Sequence, residues 1–249
     1  MRAFEPRVAL ASLSGRSDAG WARAVEAHVG CAVLGGIAFD GPTRRAARAM
    51  ADRDRREFLP DDPLAFLDRE LAALADAPLR PGFNVRSAAP EPVAAAAAVC
   101  RDHDAILEVN AHCRQAEMCA AGAGEALLRQ RERLREHVAA AAETGATVSV
   151  KVRAEVDGVD LPAVARDIER AGADAIHVDA MDSERVVERV ADATGLFVIA
   201  NNGVRGRDTA REYLEYGADA VSVGRASDDP AVLEQVGAAT DAWFREAPA

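Results

Sequence analysis

Residues 161–179 read LPAVARDIERAGADAIHVD, and residues 207–225 read RDTAREYLEYGADAVSVGR. Each stretch opens on a helical pattern, reaches Gly172 or Gly217, passes Ala-Asp and enters a short apolar run. Glycine just past a helix end supplies the left-handed residue that closes the last turn. Ala171-Gly172-Ala173-Asp174 and Tyr216-Gly217-Ala218-Asp219 are therefore one helix-to-strand loop used twice, and Thr144-Gly145-Ala146 does the same before an earlier run. Working outward from these units, strands are expected at 7–13, 31–36, 81–85, 105–110, 147–151, 174–178, 196–200 and 220–223. Helical patterns fall at 19–29, 63–75, 92–101, 124–144, 161–171, 183–193, 207–216 and 230–244. Such alternation predicts a parallel α/β protein. Eight units in 249 residues predict a closed (β/α)8 TIM barrel, which takes roughly 250 residues. Six or seven units would have favoured an open doubly wound sheet. The interval 40–80 carries two helical patterns and reads as an elaborated second βα unit. Its polar run 52–57 reads as a solvated face, with a substrate-side lid as the alternative. No linker or shift of composition divides the chain, so residues 1–249 are read as a single domain.

Composition narrows the function. Hydrophobic residues make up 49% and aromatic residues 4%, which predicts a folded body rather than a disordered chain. No run approaches the ~20 apolar residues of a membrane span, and no signal peptide is expected at the start. Cys31, Cys100, Cys113 and Cys119 show no zinc or redox spacing, so no metal site is expected and a reduced, cytoplasmic setting fits. The 41 acidic against 30 basic residues give a net charge of -11, a field that repels polyanions unless a local basic patch overrides it. Of the basic residues only Lys151 is a lysine; the rest are arginine.

In a barrel the chemistry sits where strands end and βα loops begin. Every expected strand end here carries polar or glycine residues, while the strand bodies are apolar. Lys151 closes the run Val148-Ser149-Val150. A lone lysine among arginines reads as a compact ammonium that a planar guanidinium cannot replace, held against an anionic ligand atom. Asn201-Asn202-Gly203 and Gly224-Arg225 follow the last two strands, where backbone N–H groups commonly cradle a phosphate. Cys113 follows Asn110-Ala111-His112, a polar stretch that argues against core burial. Cys119 reads as helix filler. No Ser-His-Asp arrangement or nucleophile elbow is present.

These motifs, together, resemble a known family. Residues 110–128, NAHCRQAEMCAAGAGEALL, resemble the N-M-G-C-P…G-A-G-x-A-L-L signature of tRNA-dihydrouridine synthases without a gap. Residues 10–18, LASLSGRSD, resemble the family's first-strand L-A-P-M-A-G-V-T-D, and Val150-Lys151-Val152-Arg153 resembles its V-K-I-R. Residues 199–204 and 223–226 resemble its phosphate loops. The wider group includes dihydroorotate and dihydropyrimidine dehydrogenases, all flavin barrels. The resemblance implies an FMN-dependent oxidoreductase in which reduced FMN passes hydride to C6 of a uracil ring, Cys113 protonates C5 and NADPH reloads the flavin. It places Ser12, Leu13 and Ser14 along the isoalloxazine, Asn84 where the family has glutamine, and Lys151 at the flavin N1/O2 edge. Asn201, Asn202, Gly203, Gly224 and Arg225 are expected at the phosphate, and Asn110 and Arg153 at the base.

Some positions depart from the family pattern. Arg114 replaces the proline after the cysteine, and Ala116 and Glu117 replace two lysines on an RNA-facing edge. The strand end V-H-G-R reads Val178-Asp179-Ala180-Met181. Asp179 is then a substrate-side candidate, and His177, on the same strand face, stands in for the missing histidine beside the cofactor. The family's C-terminal helical domain, which grips tRNA, finds no room before Ala249. Three readings follow: a tRNA-uridine reductase, with an RNA-binding partner or a homo-oligomer supplying the RNA grip; an enzyme acting on a free small pyrimidine; and a flavin-binding barrel without catalysis.

Overall fold

The computed structural model describes residue 1 and residues 3–246. Its strands are β1 (Val8–Leu10), β2 (Cys31–Ala38), β3 (Arg80–Arg86), β4 (Ile106–Asn110), β5 (Thr147–Arg153), β6 (Ala175–Asp179), β7 (Phe197–Asn201) and β8 (Ala220–Val223). They pair in parallel in chain order, and β8 returns to β1, closing the predicted barrel. Each expected strand is present within a few residues of its expected bounds.

The helices between them are α1 (Ala19–Arg23), α2 (Gly41–Ala51), α3 (Pro63–Ala72), α4 (Pro90–Asp102), α5 (Ala116–Ala120), α6 (Glu125–Arg129), α7 (Arg131–Ala142), α8 (Leu161–Arg170), α9 (Val186–Ala191), α10 (Arg207–Glu215) and α11 (Pro230–Glu246). Two expectations are corrected. The helix expected over 19–29 ends at Arg23 and continues as a 3-10 turn over Glu26–His28. The helix expected over 124–144 breaks at Gln130, whose φ of -113° and ψ of 65° leave the helical region. Tertiary contacts flank that break: Arg129 reaches the Asp157 carbonyl, and Arg131 pairs with Asp167 on α8.

The second βα unit is elaborated as expected, with α2 and α3 in place of one helix. Asp40 starts α2 by accepting from Thr43 N at 2.9 Å, the cap that satisfies an otherwise orphaned donor. Its other oxygen accepts from Ser87 Oγ at 2.8 Å and Ala88 N at 2.6 Å. One carboxylate thus fixes α2 to the loop after β3.

Side-chain alternation decides what the barrel holds. On β5, Val148, Val150 and Val152 face the helical layer with Val109, Ile176 and Val178 of the neighbouring strands. The intervening Ser149, Lys151 and Arg153 point the other way, because successive strand side chains alternate. The inward positions form levels along the barrel axis. Ala9, Cys31, Val33, Ile106, Ile199 and Ala220 make an apolar plug near the strand starts, joined by Phe4. Above it the inward residues become polar, and they remain so to the strand ends.

Candidate active site

Just above the plug, five side chains form one hydrogen-bonded chain across the interior. Asn110 Nδ2 donates to Asn84 Oδ1 at 2.8 Å, and Asn84 Nδ2 donates to Glu108 Oε1 at 2.7 Å. Glu108 Oε2 lies 2.7 Å from His177 Nδ1, and His177 Nε2 lies 2.7 Å from Ser222 Oγ. Burial alone would raise the Glu108 carboxyl, but His177, the Lys151 charge and the Asn84 amide outweigh it and hold the group at about 2. Burial, reinforced by Lys151, pushes His177 below the ordinary imidazole value. Glu108 is therefore a buried anion beneath the strand ends, and the neutral His177 bridges it to β8.

Over this layer opens a cleft of about 830 Å³ at the C-terminal ends of the strands, within the ~300–1,000 Å³ typical of ligand pockets. Of the expected site residues, Ser12, Leu13, Ser14, Asn110, Cys113, Lys151, Arg153, Asp179, Asn201, Asn202, Gly203, Gly224 and Arg225 all line it. Asn84 and His177 do not. Both are fully buried, and their polar side-chain atoms are bonded to one another's neighbours. These two side chains lie one layer below those that line the cleft.

Lys151 lies 3% exposed on the cleft wall. Its ammonium has no hydrogen-bond or ion-pair partner among the described residues; Glu108 and Asp179 act on it only through their charge. Burial pushes its pKa below the ordinary lysine value. The residue is buried, while its ammonium, with no protein partner among the described residues, borders the cleft where a ligand atom can meet it. A Cβ built on Gly203 or Gly224 would meet nothing within 4 Å, so both loops face open space. Among the described residues, Arg55, Arg114, Arg205 and Arg225 also line the cleft and make no ion pair, and Asp179 is the only carboxylate in the lining. On a chain of net charge -11, the lining of this opening is locally cationic.

The Cys113 loop is held from both sides. Asn110 Oδ1 accepts from His112 N at 3.2 Å and Cys113 N at 2.9 Å. The Cys113 carbonyl accepts from Glu125 N at 2.9 Å. Gly124 makes this approach possible: its φ is +61°, and a Cβ there would lie 2.3 Å from that carbonyl oxygen. Cys113 is more buried than its polar flank suggested. It is 9% exposed, against Ala46, Met50, Met118 and Ala123, although it still borders the cleft.

Three features were not legible as site chemistry in the sequence. His112 Nε2 lies 2.5 Å from Asp179 Oδ2. Asp179 Oδ1 accepts from Asn202 Nδ2 at 3.0 Å and Met181 N at 3.3 Å. Burial raises the Asp179 carboxyl, but His112, Lys151 and the Met181 N–H prevail and hold it at about 2. The run 52–57 is not wholly a solvated face: the Glu57 side chain is 1% exposed and pairs with Arg86 at 2.7 Å, and Arg55 reaches the cleft. Arg86 also contacts Ser14 Oγ, and its Nε has no partner. A polar residue at alternate positions near the ends of β4, β5 and β6 (Glu108 and Asn110, Ser149, Lys151 and Arg153, His177 and Asp179) was the available signal for Glu108.

The fold and this cleft define a barrel with a cation-lined opening at its strand ends. The sequence model of the dihydrouridine synthase family matches residues 76–248, and the chain belongs to that family. Membership makes it an FMN-dependent oxidoreductase of the dihydrouridine synthase kind. An uncharacterised protein of Methanocaldococcus jannaschii is 24% identical over 235 residues, covering 89% of each chain. Among solved structures, a FabK (M276A) mutant from Thermotoga maritima superposes with a TM-score of 0.59 at 17% identity, over 90% of this chain and 62% of that one. The chain thus spans about three fifths of that FabK chain. A chain of the Pyrococcus furiosus tryptophan synthase complex gives 0.60 at 13% identity, over 97% of this chain and 100% of the other. These likenesses concern the fold. The donor set fits FMN: an unpartnered buried ammonium, two open glycine loops and unpaired arginines complement a phosphate and an electron-rich ring edge. Among the described residues, no helix is long and apolar enough to cross a membrane.

Proposed function

We propose that this chain reduces the C5=C6 bond of a uracil ring. The observation that carries the reading is the Lys151 ammonium, buried and unpartnered in the cleft that Cys113 and both glycine loops share. FMN, when bound, supplies the hydride that reaches C6. Asn201, Asn202, Gly203, Gly224 and Arg225 would hold its phosphate. Ser12, Leu13 and Ser14 would line its ring, and Lys151 would stabilise charge at the N1/O2 edge. Cys113 gives the proton to C5. Asn110 and Arg153 face the base, with Asp179 on the same side, and Asn110 also fixes Cys113 through its backbone N–H. NADPH is the proposed reductant.

Family membership supports tRNA as the substrate. The net charge of -11 and Glu117, bound to Arg53 at 2.7 Å where the family carries lysine, favour a free pyrimidine as the second reading. Anaerobic stopped-flow oxidation of the reduced flavoprotein distinguishes them. Unmodified tRNA reoxidising the flavin faster than uracil or orotate supports the first reading, and the reverse order supports the second. A flavin that none of these reoxidises would overturn ring reduction and leave a flavin carrier.

A further inference from the structure

We propose that His112, held by Asp179, is the residue by which this site selects uracil over cytosine, its imidazole accepting a hydrogen bond from the N3–H of the ring. This rests on the uracil-reduction reading above and adds a specificity-determining residue to it. His112 follows β4 and Asp179 ends β6. Both line the cleft, and His112 Nε2 lies 2.5 Å from Asp179 Oδ2.

Asp179 decides which ring nitrogen carries the hydrogen. Its Oδ1 accepts from Asn202 Nδ2 at 3.0 Å and Met181 N at 3.3 Å, which leaves Oδ2 for His112. An ionised carboxylate only accepts, so Nε2 carries the hydrogen and Nδ1 keeps its lone pair. Burial lowers the imidazole pKa; Asp179 opposes this, while the Lys151 and Arg153 charges on β5 add to it. The ring is therefore neutral at pH 7. Nδ1 has no partner among the described residues, and the side chain is 31% exposed on the cleft wall.

A bare acceptor tells the two pyrimidines apart at N3. Uracil carries N3–H there and cytosine a lone pair, so Nδ1 gains a hydrogen bond with one and meets a second lone pair with the other. A site built to bond an N–H rejects the analogue that lacks it, because its own polar atom is left unpaired. Among the residues assigned to the base, Nδ1 is the acceptor left free. Asn110 Oδ1 is taken by the backbone N–H groups of His112 and Cys113, and Asn110 Nδ2 by Asn84. Asp179 is engaged at both oxygens, and the Arg153 guanidinium only donates. The loops assigned to the flavin phosphate follow β7 and β8, whereas His112 sits on the β4 loop that carries Cys113.

Asp179→Asn inverts the arrangement. Asn202 Nδ2 and Met181 N both donate to the Oδ1 position, so the carbonyl oxygen of the new amide takes that place and its N–H faces His112 Nε2. Nε2 must then accept, the hydrogen moves to Nδ1, and the acceptor becomes a donor. Nitrogen NMR of the histidine-labelled full chain, at neutral pH, should show Nε2–H in the wild type and Nδ1–H in Asp179→Asn. Base binding to the FMN-loaded chain is followed by flavin absorbance. Uridine and cytidine are offered as nucleosides and as the central base of otherwise identical trinucleotides. The wild type should favour uridine by at least about tenfold, the scale of one unpaired acceptor. Asp179→Asn should lower that ratio by at least about tenfold. His112→Gln, whose amide can turn either a donor or an acceptor to the ring, should bring the ratio to within about threefold of unity. Equal binding of the two bases by the wild type, a ratio unchanged in Asp179→Asn, or Nδ1–H in the wild type would overturn the proposal. FMN affinity lost in His112→Gln with discrimination kept would overturn it too, assigning the imidazole to the flavin. A chain that holds FMN but binds neither base would instead refute uracil reduction, and the proposal with it.

Discussion

Lys151 and Cys113 border one cleft but carry different burdens. Lys151→Arg keeps the charge and changes its shape, and the phosphate loops on β7 and β8 are untouched. The variant should therefore retain FMN while flavin reduction by NADPH slows, because a planar fork misplaces the charge that a compact ammonium delivers. Reduction at the wild-type rate would show Lys151 to be ordinary rim chemistry. Cys113→Ala should leave FMN binding and flavin reduction in place and slow oxidation by the pyrimidine by at least roughly tenfold, since general-acid donation contributes ~10²–10⁴-fold. Cys119→Ala should change neither half-reaction. Both key residues were legible in the sequence, Lys151 by its rarity and Cys113 by its motif. The contact between His112 and Asp179 was not, because the two lie 67 residues apart along the chain and are brought to neighbouring strand ends by the pairing of β4 and β6 with β5.

At the scale of elements, β4, β6 and β8 are joined through Glu108, His177 and Ser222. Glu108→Ala leaves the buried Asn84 Nδ2–H and His177 Nδ1–H without their acceptor, so it should destabilise the fold by about 2–5 kcal/mol at ~1–3 kcal/mol for each unsatisfied donor, read from urea unfolding. A loss below about 1 kcal/mol would match an exposed pair and contradict the buried anion. The sequence concealed this layer because a glutamate inside Ile-Leu-Glu-Val-Asn reads as one polar residue of a half-exposed strand. Its inward neighbours lie on other strands, and no spacing along the chain marks them. The break between α6 and α7 was hidden for a related reason, since Arg129-Gln130-Arg131 contains no helix breaker. The strands and αβ loops were legible because their signals are local: a glycine stop, Ala-Asp, then an apolar run.

Across the whole molecule, protonation and charge give two further expectations. Burial lowers the pKa values of His112, His137 and His177. The unfolded chain then binds protons that the fold excludes, so stability should fall as pH drops below the ordinary histidine value of ~6.5. Glu108 and Asp179, held at about 2, stabilise the fold above the ordinary carboxylate range, and that contribution is lost only as pH falls toward about 2. Urea midpoints at pH 7.5, 6 and 5 should decline in order; a flat series would contradict the buried neutral imidazoles. Net charge sets the second expectation. The cleft lining is cationic but the whole chain carries -11, so stand-alone tRNA binding should be weak, with a shallow salt slope from few phosphate contacts. Tight binding with a steep slope would reveal a basic surface outside the cleft. The central claim, that the cleft is built for a phosphate-bearing flavin, is tested most directly by titrating the flavin-free chain with FMN and, in parallel, with riboflavin, following flavin fluorescence. The account predicts one FMN per chain and much weaker riboflavin binding, because Gly203, Gly224 and Arg225 act on the phosphate. No FMN binding, or equal affinity for both flavins, would contradict it.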